Sequence, residues 1–136
     1  MSKFYITTSI AYTNAKPHVG FAMELVQADC IAQYRRLLGD EVYYLTGTDE
    51  HGMKMAQTAR AAGKTEQVLA DENSAKYREL TKFLGISNDQ FIRTTDPVHK
   101  AGAQKLWKAI AADDGFYTKT YEGLYCVGCE AYVTEK

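Results

Sequence analysis

The chain has no apolar run approaching the ~20 residues that span a bilayer, and its start, Met1-Ser2-Lys3-Phe4-Tyr5-Ile6-Thr7, lacks the apolar segment of a secretory leader. No membrane partner is expected, and cytoplasm is the expected compartment. It also has no excess charge of one sign. The 16 Lys and Arg stand against 17 Asp and Glu, a formal net charge of −1, so the chain as a whole offers no basic field to hold a nucleic acid by counterion release. DNA is not an expected partner, and any RNA must be bound locally or elsewhere. Cysteine is scarce and odd in number: Cys30 falls inside a predicted helix, and Cys126 and Cys129 form one Cys-x-x-Cys, which excludes a secreted disulfide framework. There is no Gly-x-Gly-x-x-Gly, no Walker-type phosphate loop, no internal repeat and no low-complexity segment.

What is present is an ordinary globular composition. With 136 residues, 46% hydrophobic and 24% charged, one domain is the default and the composition is not that of a disordered chain. The chain stops at Thr134-Glu135-Lys136 without a Gly, Pro or helix-end signal, only seven residues after the cysteine pair, so a fragment of a longer protein is expected.

Phe4 to Thr8 reads as a strand running into a polar loop with Asn14 and Pro17. A helix over His18 to Leu38 follows, its apolar side composed of Val19, Ala22 or Met23, Val26, Cys30, Gln33 or Tyr34, and Leu37, with Gly39 at its end. Glu41 to Thr46 suits a buried strand ending at Gly47, and Gly47 to Gly52 reads as a loop. Met53 to Ala62 is helical in composition. Thr65 caps a longer helix whose expected apolar side is Val68, Leu69, Tyr77, Leu80, Phe83 and Leu84. Phe91 to Thr94 is a third strand, and Asp96-Pro97 opens a helix carrying Leu106, Trp107 and Ile110 that ends near Gly115.

This alternation predicts an α/β fold: a Rossmann-type parallel sheet, the strands joined by right-handed crossovers. From Phe116 on, short aromatic segments broken by Gly123 and Gly128 predict the start of a small β-rich insertion. The expected division is thus 1–115 and 116–136.

Two clusters sit after strands, on the edge where open α/β sheets bind ligands. In Lys16-Pro17-His18-Val19-Gly20-Phe21, the helix N-terminus presents N–H groups to a phosphate. His18 can donate to a phosphate oxygen that gains charge during transfer, and Gly20 leaves room for a flat base. Read blandly, these are a first-turn histidine and a packing glycine. In Gly47-Thr48-Asp49-Glu50-His51-Gly52, one carboxylate can hold a substrate ammonium, while His51 can cap the next helix. The alternative is a solvated turn in which Asp49 or Glu50 complements the following helix dipole.

The His18-Val19-Gly20-Phe21 turn resembles the "HIGH" signature of class I aminoacyl-tRNA synthetases, and Gly47 to Gly52 resembles the corresponding loop of the methionyl-tRNA synthetases. Tyr5 to Thr13, Tyr43 to Gly52, Phe91 to Thr95 and Tyr121 to Glu130 are all similar to that family, so the resemblance spans essentially the whole chain. It implies the first half of the catalytic Rossmann domain and the start of its connective-peptide insertion, in a cytoplasmic methionine–tRNA ligase. Ile10, Tyr12 and Asp49 are implied to border methionine, with Asp49 at the α-ammonium. His18 as the catalytic residue, Gly20 and Glu24 are implied on the ATP side, with Mg2+ accompanying ATP and tRNA(Met) as the acceptor. Phe21 departs from the signature, which has a second histidine there, and a phenyl ring cannot donate to phosphate. The family's lysine-rich "KMSKS" loop has no counterpart in this chain.

Cys126 and Cys129 can take two corners of a tetrahedral zinc, and a structural site needs four ligands. Neither Cys30 nor His99 is an obvious partner. In the resembling family a second pair follows further along, so Zn2+ is expected only with those downstream ligands. Two other readings remain open: a class I synthetase for leucine, isoleucine or valine, against which the Gly47 to Gly52 loop argues, and a non-catalytic nucleotide- or zinc-binding module.

Overall fold

A computed structural model describes residues 2–126, 128–129 and 131–133. They form two compact units that divide after Gly102. The first contains β1 (Lys3–Thr7), β2 (Ala11–Tyr12), α1 (Val19–Leu37), β3 (Glu41–Asp49), α2 (Met53–Ala61), α3 (Glu66–Phe83) and β4 (Gln90–Arg93). The helix α4 (Pro97–Ala112) crosses the division, and β5 (Leu124–Cys126) and β6 (Ala131–Val133) pair antiparallel in the second unit. The α/β class and the parallel sheet agree with the sequence expectation.

β3 is the hub of the sheet, and β1, β2 and β4 all pair with it in parallel. Leu45 partners both Thr7 and Gln90, and Thr48 partners both Ala11 and Arg93, so β1 and β2 share one side of β3 and β4 takes the other. Four steps separate Thr7 from Ala11 and only three separate their partners, so the β1–β2 line carries one extra residue and bulges around Ser9. Bulges of this kind redirect side chains beside functional sites. The two-residue β2 lay beyond the reach of strand propensity: only its pairing with Thr48 and Asp49 makes it a strand.

β3 also runs three residues past its expected end. Gly47 is interior to the strand, where an added Cβ would lie 1.9 Å from the carbonyl oxygen of Ile92. The glycine therefore marks the close approach of two strands rather than a turn.

The helices bury faces other than the expected ones. α1 turns Phe21, Leu25, Ala28, Asp29 and Ala32 inward, while Val19, Met23, Val26, Cys30 and Leu37 are exposed. Apolar residues occur on both sides of this helix, so its periodicity is ambiguous. The small Ala28 and Ala32 admit the Tyr44 ring, and the Asp29 carboxylate accepts the N–H of Ser87 at 2.7 Å. Burial, with Asp29 and Glu24 nearby, pushes the Tyr44 phenol up to about 12, and it remains a donor to the carbonyl of Leu25 at 3.2 Å.

α3 likewise buries polar residues. Asn73 and Ser74 lie inward beside Leu69, Ala70 and Tyr77, whereas Phe83 is exposed. The Asn73 amide donates to the carbonyl of Thr13 at 2.6 Å, and Ser74 meets the Thr48 hydroxyl at 3.0 Å. These bonds satisfy the polar groups, so burying them carries no desolvation penalty large enough to turn the helix over. Leu106, Trp107 and Ile110 of α4 are exposed.

Candidate active site

The C-terminal edge of the sheet gathers the bulge after β1, β2, the N-terminus of α1 and the ends of β3 and β4. His18 is the N-cap of α1, with φ −123° and ψ 169°. Its Nδ1 accepts the N–H of Gly20 at 3.1 Å and of Phe21 at 3.4 Å. The helix N-terminus was expected to present its N–H groups to a phosphate, and two of them, those of Gly20 and Phe21, are instead taken by the histidine ring. With Nδ1 an acceptor, neutral His18 carries its proton on Nε2, which is the atom left to donate to a ligand.

Gly20 has a function the sequence did not reveal. A Cβ there would stand 3.0 Å from both Cε1 and Nδ1 of His18, so any side chain would displace the capping ring by a few tenths of an ångström.

A cavity of about 280 Å3 opens beside this cap, with Ser9, Tyr12, His18, Gly20, Glu24 and Tyr77 among its lining residues. It brings together four of the residues singled out in the sequence. Glu24 is tied down within it: its two carboxylate oxygens accept the N–H of Ser9 at 2.7 Å and the Ser9 hydroxyl at 2.8 Å. The bulge therefore docks onto α1. Phe21, at the signature's second histidine position, turns into the core, 5% exposed, with its ring edge-on to Tyr77 at 5.0 Å. The Tyr77 hydroxyl donates to the carbonyl of Tyr12 at 3.3 Å and so supports β2 from below.

Tyr12 connects this cavity to the second cluster. It partners Asp49 across the sheet, and a Cβ on Gly52 would lie 3.5 Å from its hydroxyl oxygen. Asp49 and Ile10 are not among the cavity's lining residues. Asp49 adjoins the cavity through Tyr12, and Ile10 lies on the bulge, 39% exposed.

The expected loop over Gly47 to Gly52 is in fact the end of a strand followed by a braced turn. Gly52, not His51, is the N-cap of α2, and no side chain caps it. Nor is Glu50 solvated: it is 4% exposed. Its Oε1 accepts from Nε of Arg93 at 2.6 Å and from the Thr48 hydroxyl at 2.9 Å, and its Oε2 from Nη2 of Arg93 at 2.9 Å and from the Thr95 hydroxyl. Burial pushes the Glu50 carboxyl up, but the bonds from Arg93, Thr95 and Thr48 and the charge of Arg93 outweigh it, and the group sits below its ordinary value. Arg93 is held charged by its bonds to Glu50, against the opposing effect of burial, with Asp71 at 2.5 Å adding to the pull.

The two neighbouring carboxylates are thus sorted by their surroundings. Glu50 is neutralised by Arg93. Asp49 accepts only weakly, on Oδ1, from the N–H of His51 and the hydroxyl of Thr94, each at 3.4 Å. Of the two, Asp49 is the carboxylate that forms no ion pair among the described residues. The sequence reading placed Arg93 and Thr94 in a strand and Tyr77 on a helix's apolar side, and it gave none of these, nor Asn73, a role at the site. An arginine placed directly after a strand, on the same edge as two adjacent carboxylates, was the available signal for the first.

A cavity at a capped helix N-terminus, on the C-terminal edge of a parallel sheet and beside a carboxylate that forms no ion pair among the described residues, is the arrangement in which open α/β proteins bind their ligands. The family model described as "tRNA synthetases class I (M)" matches residues 4–136, and the chain belongs to that family. It is 51% identical over 133 residues to the methionine–tRNA ligase of Mesorhizobium japonicum, covering 98% of this chain and 26% of that protein. It is 47% identical to the chloroplastic/mitochondrial methionine–tRNA ligase of Arabidopsis thaliana, over 98% of this chain and 22% of that protein. The solved structure of Mycobacterium tuberculosis methionyl-tRNA synthetase in complex with methionyl-adenylate superposes with a TM-score of 0.93 at 45% identity, covering 99% of this chain and 26% of that one. The chain spans about a quarter of the length of these relatives.

Proposed function

We propose that this chain is part of a methionine–tRNA ligase, in which it supplies the first half of the catalytic domain, and that residues 116–136 begin the connective-peptide insertion. The observation that carries the reading is the placement of His18 and Asp49 on one sheet edge, on either side of Tyr12, with Glu50 already neutralised. The edge thereby offers a donor for a phosphate and a carboxylate for an ammonium, the two ends of an aminoacyl-adenylate.

In this reading the methionine carboxylate attacks the α-phosphorus of ATP, forming methionyl-adenylate and releasing pyrophosphate. A terminal ribose hydroxyl of tRNA(Met) then attacks the activated carbonyl and AMP leaves. Asp49 holds the α-ammonium. Ile10 and Tyr12 border the side chain. His18 donates from Nε2 to phosphate oxygen as charge builds there, Gly20 keeps the ring in place, and Glu24 shapes the nucleoside side by fixing Ser9. Such catalysis is positioning and charge stabilisation rather than covalent chemistry. Mg2+ belongs to this reading as the counter-ion of the triphosphate. The compartment proposed is the cytoplasm. Among the described residues no helix is long and apolar enough to cross a membrane.

Cys126 and Cys129 fit one half of a zinc site. They lie at the end of β5 and on the turn that follows, where the thiol of Cys129 and its backbone N–H, at 3.4 Å, hold the Cys126 thiol below its ordinary value. Among the described residues no group of three or more His, Cys, Asp or Glu is arranged to hold a metal, so the remaining ligands must come from elsewhere. Zinc bound there would be structural, stiffening the turn.

ATP–pyrophosphate exchange by the full-length protein, run with a panel of amino acids, tests the reading. Methionine-dependent exchange is expected. Exchange driven by leucine, isoleucine or valine instead, or no exchange with any amino acid, overturns it.

A further inference from the structure

Thr94, the residue after β4, is 6% exposed and stands between Glu50 and Asp49. Its backbone N–H donates to the carbonyl of Thr48 at 3.1 Å, which continues the β3–β4 ladder and fixes its main chain. Its hydroxyl oxygen accepts the N–H of Glu50 at 2.9 Å. That bond orients the hydroxyl, whose single proton is then directed to Oδ1 of Asp49 at 3.4 Å. The N–H of His51 reaches the same oxygen. Both braces fall on Oδ1, and Oδ2 accepts from no described residue.

We propose that Thr94 is a positioning residue for Asp49: its hydroxyl holds Oδ1 so that Oδ2 faces the α-ammonium of the amino-acid substrate. The inference rests on the reading of Asp49 given above. Its physical basis is the preorganisation of a carboxylate braced on one of its two oxygens. Unbraced, Asp49 at the end of a strand has several rotamers to lose when the ammonium binds, and each brace settled in advance reduces that cost. The arrangement also explains why the Glu50–Arg93 pair sits here. The bidentate arginine and the Thr48 and Thr95 hydroxyls lock Glu50, whose N–H in turn aims the Thr94 hydroxyl. A rigid, neutralised carboxylate thus sets the direction of the one that meets the substrate ammonium.

The test uses the full-length protein and three variants. Thr94→Val keeps the shape and deletes the hydroxyl, Thr94→Ser keeps the hydroxyl, and Asp49→Asn removes the charge. KM for methionine and for ATP is measured by pyrophosphate exchange, together with Tm. Thr94→Val is expected to raise the methionine KM roughly threefold, the loss of one long, weak hydrogen bond, with the ATP KM unchanged. Thr94→Ser should restore it, and on an Asp49→Asn background Thr94→Val should add little. A methionine KM that stays put in Thr94→Val while Asp49→Asn raises it overturns the positioning role and leaves the reading of Asp49 standing. An unchanged KM in Asp49→Asn overturns both. Equal rises in both KM values with a lowered Tm, not rescued by serine, assign Thr94 a structural role only and also overturn the proposal. Should Thr94→Val fold poorly, Thr94→Ala removes the same hydroxyl and is read in the same way.

Discussion

Arg93 grips Glu50 with two nitrogens of its guanidinium, Nε on Oε1 at 2.6 Å and Nη2 on Oε2 at 2.9 Å, and the glutamate side chain has no exposed surface. The pair joins the ends of β3 and β4, and it is tied to α3 directly through Asp71 and, by way of the Thr48 hydroxyl, through Ser74. It stands one residue from Asp49, so the strongest electrostatic contact on this edge supports the candidate ammonium site without being part of it.

Removing Arg93 strands a buried carboxylate. Arg93→Met should cost about 3–5 kcal/mol of stability at neutral pH, measured by urea unfolding. The pH dependence follows from the direction of the Glu50 shift. Its folded value is lowered, so the stabilisation is complete above the unfolded carboxylate value of about 4.3 and is lost as pH falls through the lower folded value. The stability gap between the native protein and Glu50→Gln should therefore close progressively below about pH 4. A gap that widened on acidification would contradict the pairing.

Asp49→Ala should weaken methionine binding by roughly 2–5 kcal/mol, since the ammonium would be left desolvated and unpaired. ATP binding should survive. Asp49→Asn should recover part of the loss, because the amide accepts a hydrogen bond without carrying charge. Calorimetric titration of both ligands checks this, and equal methionine affinities across the three proteins would move the ammonium site elsewhere.

His18 combines two tasks that substitutions can separate. His18→Ala loses the helix cap, about 0.5–2 kcal/mol of stability, and the phosphate donor, roughly 2.7–4 kcal/mol of the activation barrier. His18→Asn can still cap, so its Tm should return toward that of the native protein while adenylate formation stays slow. Activation at the native rate in either variant would remove His18 from the reaction.

Gly47→Ala should be poorly tolerated although alanine is the smallest replacement. Its Cβ would lie 1.9 Å from the Ile92 carbonyl oxygen, and backbone cannot yield as a flexible side chain can. The cost should reach or exceed the ~1–3 kcal/mol typical of overpacking, seen as a lowered urea midpoint. Unchanged stability would mean that β3 and β4 are spaced more widely than described.

Zinc stoichiometry should depend on chain length. The 136-residue chain should bind zinc weakly, and the full-length protein should bind one equivalent that Cys126→Ser removes, with loosening confined to the second unit. Metal analysis of both proteins decides it, and tight stoichiometric zinc on the short chain would show that its own residues complete the site.

The order of the helices and of the sheet's strands other than β2, the α/β class and the identity of the two clusters were legible in the sequence because each rests on local chemistry: β-branched and aromatic runs, caps such as Thr65, and polar residues placed just after strands. Which face each helix buries was not legible. α1 and α3 carry apolar residues on more than one side, and the choice fell to partners distant in the chain: Ala28 and Ala32 against Tyr44, Asp29 bonded to Ser87, and Asn73 to Thr13. The same holds at the site. Asp49 and Glu50 are neighbours of equal charge in the sequence, and nothing local distinguishes them. Only when β4 lies alongside β3 does Arg93, 43 residues further on, neutralise one and leave the other without an ion pair among the described residues. Electrostatic sorting of that kind depends on distances of a few ångströms across the sheet, which tertiary pairing alone sets.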